Sequence, residues 1–135
     1  MCYPGEVFLF DVDGTLTPPR QPMVNTFIKQ FDRLATEELV YIVSGSDIKK
    51  IREQVPSVIL DKCEGIFASS ANELWVGGKV IYQREFQVPA GLLTQLRSWV
   101  KHSEYLDRRG SHIEYRPGML NFSTVGRNAS LSDRR

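Results

Sequence analysis

Cysteine is scarce in this sequence: only Cys2 and Cys63 carry a thiol among 135 residues, far apart and without C-x-x-C spacing. That excludes a disulfide-stapled scaffold and a cysteine-rich metal site, and it predicts two reduced thiols in a cytoplasmic protein. Long apolar runs are also missing. None approaches the roughly 20 residues that a membrane-spanning helix needs. Met1 to Glu6 holds no basic segment followed by an apolar stretch, so no secretory leader is expected. The sequon Asn128-Ala129-Ser130 is discounted, because nothing else suggests secretion. A bias to one sign of charge is absent too: 17 basic residues face 16 acidic ones, for a net charge of +1. Such a balance gives no bulk attraction to nucleic acid or an anionic membrane, so any anion must be met by a few placed arginines. Internal repeats and low-complexity tracts are likewise lacking.

What is present suits one compact domain with a real core, or one domain plus a piece of another. Glu6 to Asp11 (EVFLFD) is short, apolar and bounded by Pro4-Gly5 and Gly14, which reads as a buried strand. Pro18, Pro19 and Pro22 make a rigid connection. Val24, Phe27, Ile28, Phe31 and Leu34 then fall at helical spacing. Leu39 to Val43 reads as a second buried strand, followed by a short helix over Asp47 to Val55 that Pro56 ends. Strand, crossover helix, strand, helix is the opening of a parallel, doubly wound α/β sheet. Two β-like runs follow, around Ile66–Ala68 and Val80–Gln83, with a turn at Gly77-Gly78. Pro89 to Val100 reads as a helix with Pro89 in its first turn. Ser111–Tyr115 and Leu120–Thr124 read as an antiparallel pair around Pro117-Gly118. Ser130 is a candidate N-cap, with Asp133 where a capping-box acid belongs.

The sharpest local signal is Asp11-Val12-Asp13-Gly14-Thr15, at the carboxyl end of the first strand. Ligands of open α/β sheets bind at that edge. Two carboxylates one residue apart can both face a ligand once the chain turns, and Gly14 tolerates such a turn. Close carboxylates resist joint ionisation unless a cation sits between them, and a hard cation such as Mg²⁺ suits oxygen ligands. The competing structural role is a turn in which both aspartates only cap backbone groups. Ser44 and Ser46 in VSGSD, at the end of the second strand, offer hydroxyls and a helix start to an anion. Either of the two can fill that role, and each can equally be a capping hydroxyl.

DxDGT after a buried strand resembles the first motif of the haloacid dehalogenase superfamily. The resemblance implies that Asp11 attacks phosphorus to form an aspartyl phosphate, that Asp13 is the general acid and base, and that both hold Mg²⁺. It also implies that Ser44 or Ser46 binds the phosphoryl group. Longer motifs narrow the family. Phe10 to Gln21 (FDVDGTLTPPRQ), then Ser44-Gly45-Ser46-Asp47 with Lys50 and Glu53-Gln54, resemble segments of eukaryotic-type phosphomannomutases. Most specific is Arg109 to Ser123 (RGSHIEYRPGMLNFS) with Val125-Gly126-Arg127 and Arg134, which closely resembles that family's cap signature, RGTFIEFRNGMLNVSPIGR with a further arginine.

This resemblance covers nearly the whole chain and implies an α/β fold: an incomplete Rossmann-like haloacid dehalogenase core over residues 1–85 and the first part of an inserted α/β cap over 86–135. Arg20, Arg116, Arg127 and Arg134 fall on substrate-binding arginines, and Asn121 lies in the same signature. The implied reaction interconverts mannose 6-phosphate and mannose 1-phosphate, with a hexose 1,6-bisphosphate as activator, for GDP-mannose supply and glycosylation. Homodimerisation through the cap is a further expectation. Two alternatives remain: a sugar phosphatase passing the phosphoryl group to water, and a non-catalytic remnant that binds a partner. The chain departs from the family at Ser44 in place of the first glycine of GGSD. It also departs at Phe67-Ala68-Ser69-Ser70-Ala71 in place of FPENG, and at Pro117 and Thr124. The family continues into the rest of its cap, a core lysine and a Gly-Asp-rich metal loop. The resemblance therefore implies a fragment, truncated product or pseudoenzyme, inactive alone, with an unpaired sheet edge and exposed apolar faces.

Overall fold

The computed structural model describes residues 5–130 and 132–134; Cys2 lies outside them. Two compact units divide the chain, Met1–Arg84 and Glu85–Arg135.

The first unit runs β1 (Val7–Phe10), α1 (Asn25–Glu37), β2 (Leu39–Val43), α2 (Ile48–Gln54), α3 (Ser57–Leu60), β3 (Gly65–Ala68), β4 (Glu73–Val76) and β5 (Lys79–Gln83). They form one sheet in the order β1-β2-β3-β4-β5. The first three strands are parallel, with Phe10 opposite Ile42 and Ile42 opposite Ile66. β4 and β5 add antiparallel. Side-chain alternation along each strand puts Phe8, Phe10, Val40, Ile42, Ile66 and Ala68 on one face. There they meet Phe31 and Ala35 of α1, Ile51 of α2 and Ile59 of α3. Phe10 meets Phe31 edge to face, ring centroids 5.0 Å apart.

Among the described residues the opposite face is left open at β1 and the start of β2. Val7, Leu9 and Leu39 are 47%, 60% and 44% exposed, and β1 pairs with β2 alone. Parallel strands are ordinarily covered on both faces. The doubly wound expectation is thus met on one face only among the described residues, and an apolar face and a free edge remain.

Two elements differ from the sequence reading. Helix α3 is too short to show periodicity, and Pro56 starts it as N-cap rather than simply ending α2. Strand β4 opens on Glu73, a charge that hides an apolar strand pattern. Its carboxylate is buried and accepts a hydrogen bond from Ser69 Oγ at 3.1 Å. Between β3 and β4 the backbone takes an unusual course: Ser69, Ser70 and Ala71 hold φ of +52°, +57° and +62°. Left-handed backbone costs an L-residue roughly 1–2 kcal/mol, so the turn is strained at three successive positions.

The second unit holds α4 (Ala90–His102), the antiparallel pair β6 (Ile113–Arg116) and β7 (Met119–Phe122), and a 3-10 turn at Ser132–Arg134. Both strands sit closer to the turn than expected, because Gly118 at φ +65° lets the chain reverse within two residues. Leu96 of α4 is buried, and the Trp99 ring lies 6.3 Å from that of Phe122. Gly126 holds φ +90°, and a Cβ there would stand 2.2 Å from the Arg109 carbonyl oxygen, so no side chain fits. Ser130 and Asp133 form the anticipated reciprocal cap. The Ser130 N–H donates to Asp133 Oδ2 at 2.8 Å, and the Asp133 N–H donates to Ser130 Oγ at 3.2 Å. The Ser130 hydroxyl, donating to Asp133 Oδ2 at 2.8 Å, and then the Ser130 N–H hold the Asp133 carboxyl below its usual pKa.

Three variants test this packing. Ala71→Gly is expected to raise stability by about 0.5–1 kcal/mol, because glycine relieves the left-handed strain and loses part of the gain to chain entropy; urea unfolding measures it, and a destabilised variant would refute the strain. Ile42→Ala should cost about 2–5 kcal/mol. Leu9→Lys on the open face should stay within about 0.5 kcal/mol of wild type while reducing self-association in sedimentation velocity.

Candidate active site

The loop after β1 is organised around Val12. Its side chain is fully buried, and its carbonyl oxygen accepts from the N–H groups of Thr15, Leu16 and Thr17 at 3.2, 3.0 and 3.0 Å. Gly14 turns the chain at φ +82° and donates its N–H to the Thr17 carbonyl at 2.8 Å. With Val12 anchored inward, Asp11 and Asp13 on either side are exposed. Both carboxylates therefore stand at the carboxyl end of β1 and neither points into the core.

Asp13 is held firmly. Its Oδ1 accepts from the Arg20 backbone N–H and from Gln54 Nε2, each at 2.7 Å. Gln54, at the end of α2, is only 5% exposed, and its amide also reaches Thr17 Oγ1 at 3.2 Å. The Met23 N–H donates to the Gln54 carbonyl at 2.8 Å, closing the connection. Arg20 itself sits at φ +60°, exposed, and its guanidinium bonds no described residue.

The second strand end lies beside the first. Since Phe10 pairs with Ile42, Ser44 follows β2 in register with the Asp11–Asp13 loop. Ser44 is buried, and its Oγ accepts the Ser46 N–H at 3.1 Å. That hydroxyl keeps its proton to donate, while the Ser46 N–H is engaged. Asp47 caps α2, its Oδ1 accepting the Lys50 N–H at 2.9 Å. The strained turn after β3 ties into the same loop: the Ser69 and Ser70 N–H groups donate to the Ser46 and Ser44 carbonyls at 2.8 and 2.9 Å. Three neighbouring strand ends thus bring Asp11, Asp13, Ser44, Ser46 and Ser70 to one edge.

This edge fits Mg²⁺ by donor chemistry. All side-chain donors are oxygens, and Asp13 Oδ2 and both oxygens of Asp11 accept no hydrogen bond from a described residue. Among the described residues no cluster of three or more His, Cys, Asp or Glu gathers, so the ion would rest on these two carboxylates.

In the second unit, Glu114, Arg116 and Arg127 meet. Glu114 Oε2 takes Arg116 Nη2 at 3.1 Å and Arg127 Nε at 2.9 Å, and the Arg116 side chain is only 8% exposed. Both arginines therefore share one face of β6–β7 and converge on one oxygen, as two donors to one anion would. Arg134 does something different. Its Nε and Nη2 donate to the carbonyls of Ala129 and Arg127 at 3.1 Å each, which binds the end of the described chain to the Arg127 segment. Asn121 pairs with Glu114 across the hairpin.

Gln54 and Glu114 lie within the family-like motifs, yet the sequence alone assigns neither a role. A buried amide beside a carboxylate, and a glutamate between two arginines, become visible only when their partners are placed. Elsewhere in the first unit, a cavity of about 330 Å³ is lined by Arg52, Leu60, Cys63, Trp75 and Gly77 among others. Burial, and then the neighbouring Glu64, push the Cys63 thiol up to about 11, so it stays protonated and is no nucleophile.

Among known proteins, the family model for eukaryotic phosphomannomutase matches residues 25–135. A phosphomannomutase of Glycine max is 36% identical, covering 97% of this chain and 56% of its own. One from Dendrobium officinale is 33% identical, covering 97% and 54%, and phosphomannomutase 1 of Mus musculus is 34% identical, covering 93% and 51%. The chain spans about half the length of the curated relatives it matches. Solved structures agree in fold alone. A haloacid dehalogenase-like hydrolase from Bacteroides thetaiotaomicron superposes with a TM-score of 0.52 at 14% identity, over 71% of this chain and 38% of that one. An IMP-nucleotidase from Plasmodium falciparum gives 0.52 at 11%, over 85% and 38%. With its aspartate pair at the edge of a haloacid dehalogenase-type α/β sheet, the chain belongs to the eukaryotic phosphomannomutase family.

Proposed function

We propose that these residues serve the interconversion of mannose 6-phosphate and mannose 1-phosphate, with Asp11 as nucleophile and Asp13 as general acid and base. The observation that carries this reading is the exposed Asp11–Asp13 pair, with Asp13 locked through one oxygen at the sheet edge where β2 ends in Ser44. An Asp11 oxygen forms a bond to phosphorus, and the bond from phosphorus to the sugar oxygen breaks. Asp13, held at Oδ1 by Gln54 and Arg20, gives a proton from Oδ2 to that leaving oxygen. In the return step a sugar hydroxyl gives its proton to Asp13 and attacks phosphorus, which releases Asp11. Asp11 and Asp13 would hold Mg²⁺, the latter through atoms other than its proton-bearing Oδ2, and the ion would supply charge neutralisation. Ser44 and Ser46 bind the transferring group, and Arg20, Arg116, Arg127 and Arg134 bind the sugar phosphate. Arginine's planar fork suits a phosphate's oxygens. A hexose 1,6-bisphosphate activator, a cytoplasmic setting, GDP-mannose supply and a homodimer through the second unit complete the proposal.

Mannose 1-phosphate with Mg²⁺ is expected to shift the amide resonances of Asp13, Gly45 and Arg127 in an NMR titration. A response identical to that of inorganic sulfate would count against a sugar-phosphate site. No measurable turnover is expected from these 135 residues, since residues acting as one catalytic unit fail together and the described residues would offer the metal two carboxylates. Mg²⁺-dependent turnover that vanishes in Asp11→Asn would overturn that expectation and identify the nucleophile.

Gln54→Leu should cost about 1–3 kcal/mol, since the buried amide and its partners lose their hydrogen bonds. Denaturant titration measures it, and an unchanged midpoint would show that Asp13 is held by Arg20 alone.

A further inference from the structure

The left-handed turn Ser69-Ser70-Ala71 is pinned on several sides. Besides its two bonds to the Ser44–Ser46 loop, the Tyr82 hydroxyl donates to the Ala71 carbonyl at 2.7 Å, and the Arg84 N–H donates to the Asn72 carbonyl at 2.7 Å. The surrounding structure thus imposes a conformation that none of the three residues favours. Strain held in place in this way clusters at functional sites.

The three side chains differ in what they do. Ser69 is fully buried, and its hydroxyl is engaged with Glu73. Ala71 has no polar group. Ser70 is exposed, and its Oγ lies 3.6 Å from where a Cβ on Gly45 would stand. No described residue receives or supplies a hydrogen bond to that oxygen. Gly45 is exposed as well, and its missing side chain leaves open the space over which the Ser70 hydroxyl stands. The turn therefore carries an unengaged donor to the stretch between Ser44 and Ser46.

We propose that Ser70 is a third hydroxyl of the phosphate-binding loop, donating to an oxygen of the bound phosphoryl group. This rests on the phosphoryl-transfer reading of the Asp11 edge. A phosphoryl group offers three acceptor oxygens, and a loop with Ser44 on one side leaves room for a donor across Gly45. Glycine would relieve the strain at position 70, yet only serine delivers the hydroxyl. Stability and binding must then move apart.

The test measures mannose 1-phosphate affinity with Mg²⁺, by NMR titration, beside thermal unfolding for wild type, Ser70→Gly, Ser70→Ala and Ala71→Gly. Ser70→Gly should melt higher than wild type and bind about tenfold more weakly, the scale of one hydrogen bond to a charged group. Ser70→Ala, strained but without the hydroxyl, should show the same loss of affinity. Ala71→Gly should melt higher and keep wild-type affinity. If Ser70→Gly and Ser70→Ala bind like wild type while Ser44→Ala does not, Ser70 is no ligand and the proposal is overturned. If wild type does not bind, or Asp11→Asn and Ser44→Ala also leave affinity unchanged, the reading of the whole edge fails and Ser70 with it.

Discussion

The side-chain amide of Gln54 reaches from the end of α2 into the loop after β1, where it meets Asp13 Oδ1 and Thr17 Oγ1. Its own carbonyl accepts the Met23 N–H that leads into α1. One buried residue therefore ties the aspartate loop, the proline-rich connection and the second helix together. Without it, a charged loop of seven residues between Asp11 and Thr17 would be positioned only by its local turns and the Val12 anchor. The bond is also selective, because it occupies one oxygen of Asp13 and leaves the other without a hydrogen bond from the described residues. A buried donor facing a carboxylate is costly to leave unpaired, which is why the loop and α2 must form together.

Around that tie, the sheet separates support from chemistry. Support comes from one face, where β1, β2 and β3 meet three helices through Ile42, Ile51 and Phe31. Chemistry gathers at the carboxyl edge, where strand ends release Asp11, Ser44 and the Ser69–Ala71 turn side by side. Parallel strands are what make this gathering possible, since each ends at the same side of the sheet. The strain at Ser69–Ala71 is borne there because the turn's amide hydrogens are needed by the Ser44–Ser46 carbonyls.

In the second unit, electrostatics replaces packing as the organising element. Arg116 is nearly buried, and a guanidinium there demands a counter-ion. Glu114, two residues earlier on the same strand, points the same way by the period of β-structure and serves Arg127 too. Among the described residues the two guanidinium groups thus share one carboxylate oxygen, which fixes both side chains on the same side of the hairpin.

The sequence by itself determined most of the elements and the family. An apolar run ending in Asp-Val-Asp-Gly reads as a strand feeding a carboxylate turn, because strand periodicity and glycine's freedom are local properties. The capping pair Ser130 and Asp133 is local in the same sense. The long signature from Arg109 to Arg127 marks the family through residue identities alone. Tertiary structure decided what depends on residues distant in the chain. It recruited Gln54 to Asp13, 41 residues away. It buried Glu73 as a strand residue against its charge. It bent Ser69–Ala71 into a left-handed turn that no local preference selects, because there the Ser69 and Ser70 amides pair with the Ser46 and Ser44 carbonyls of the neighbouring strand end.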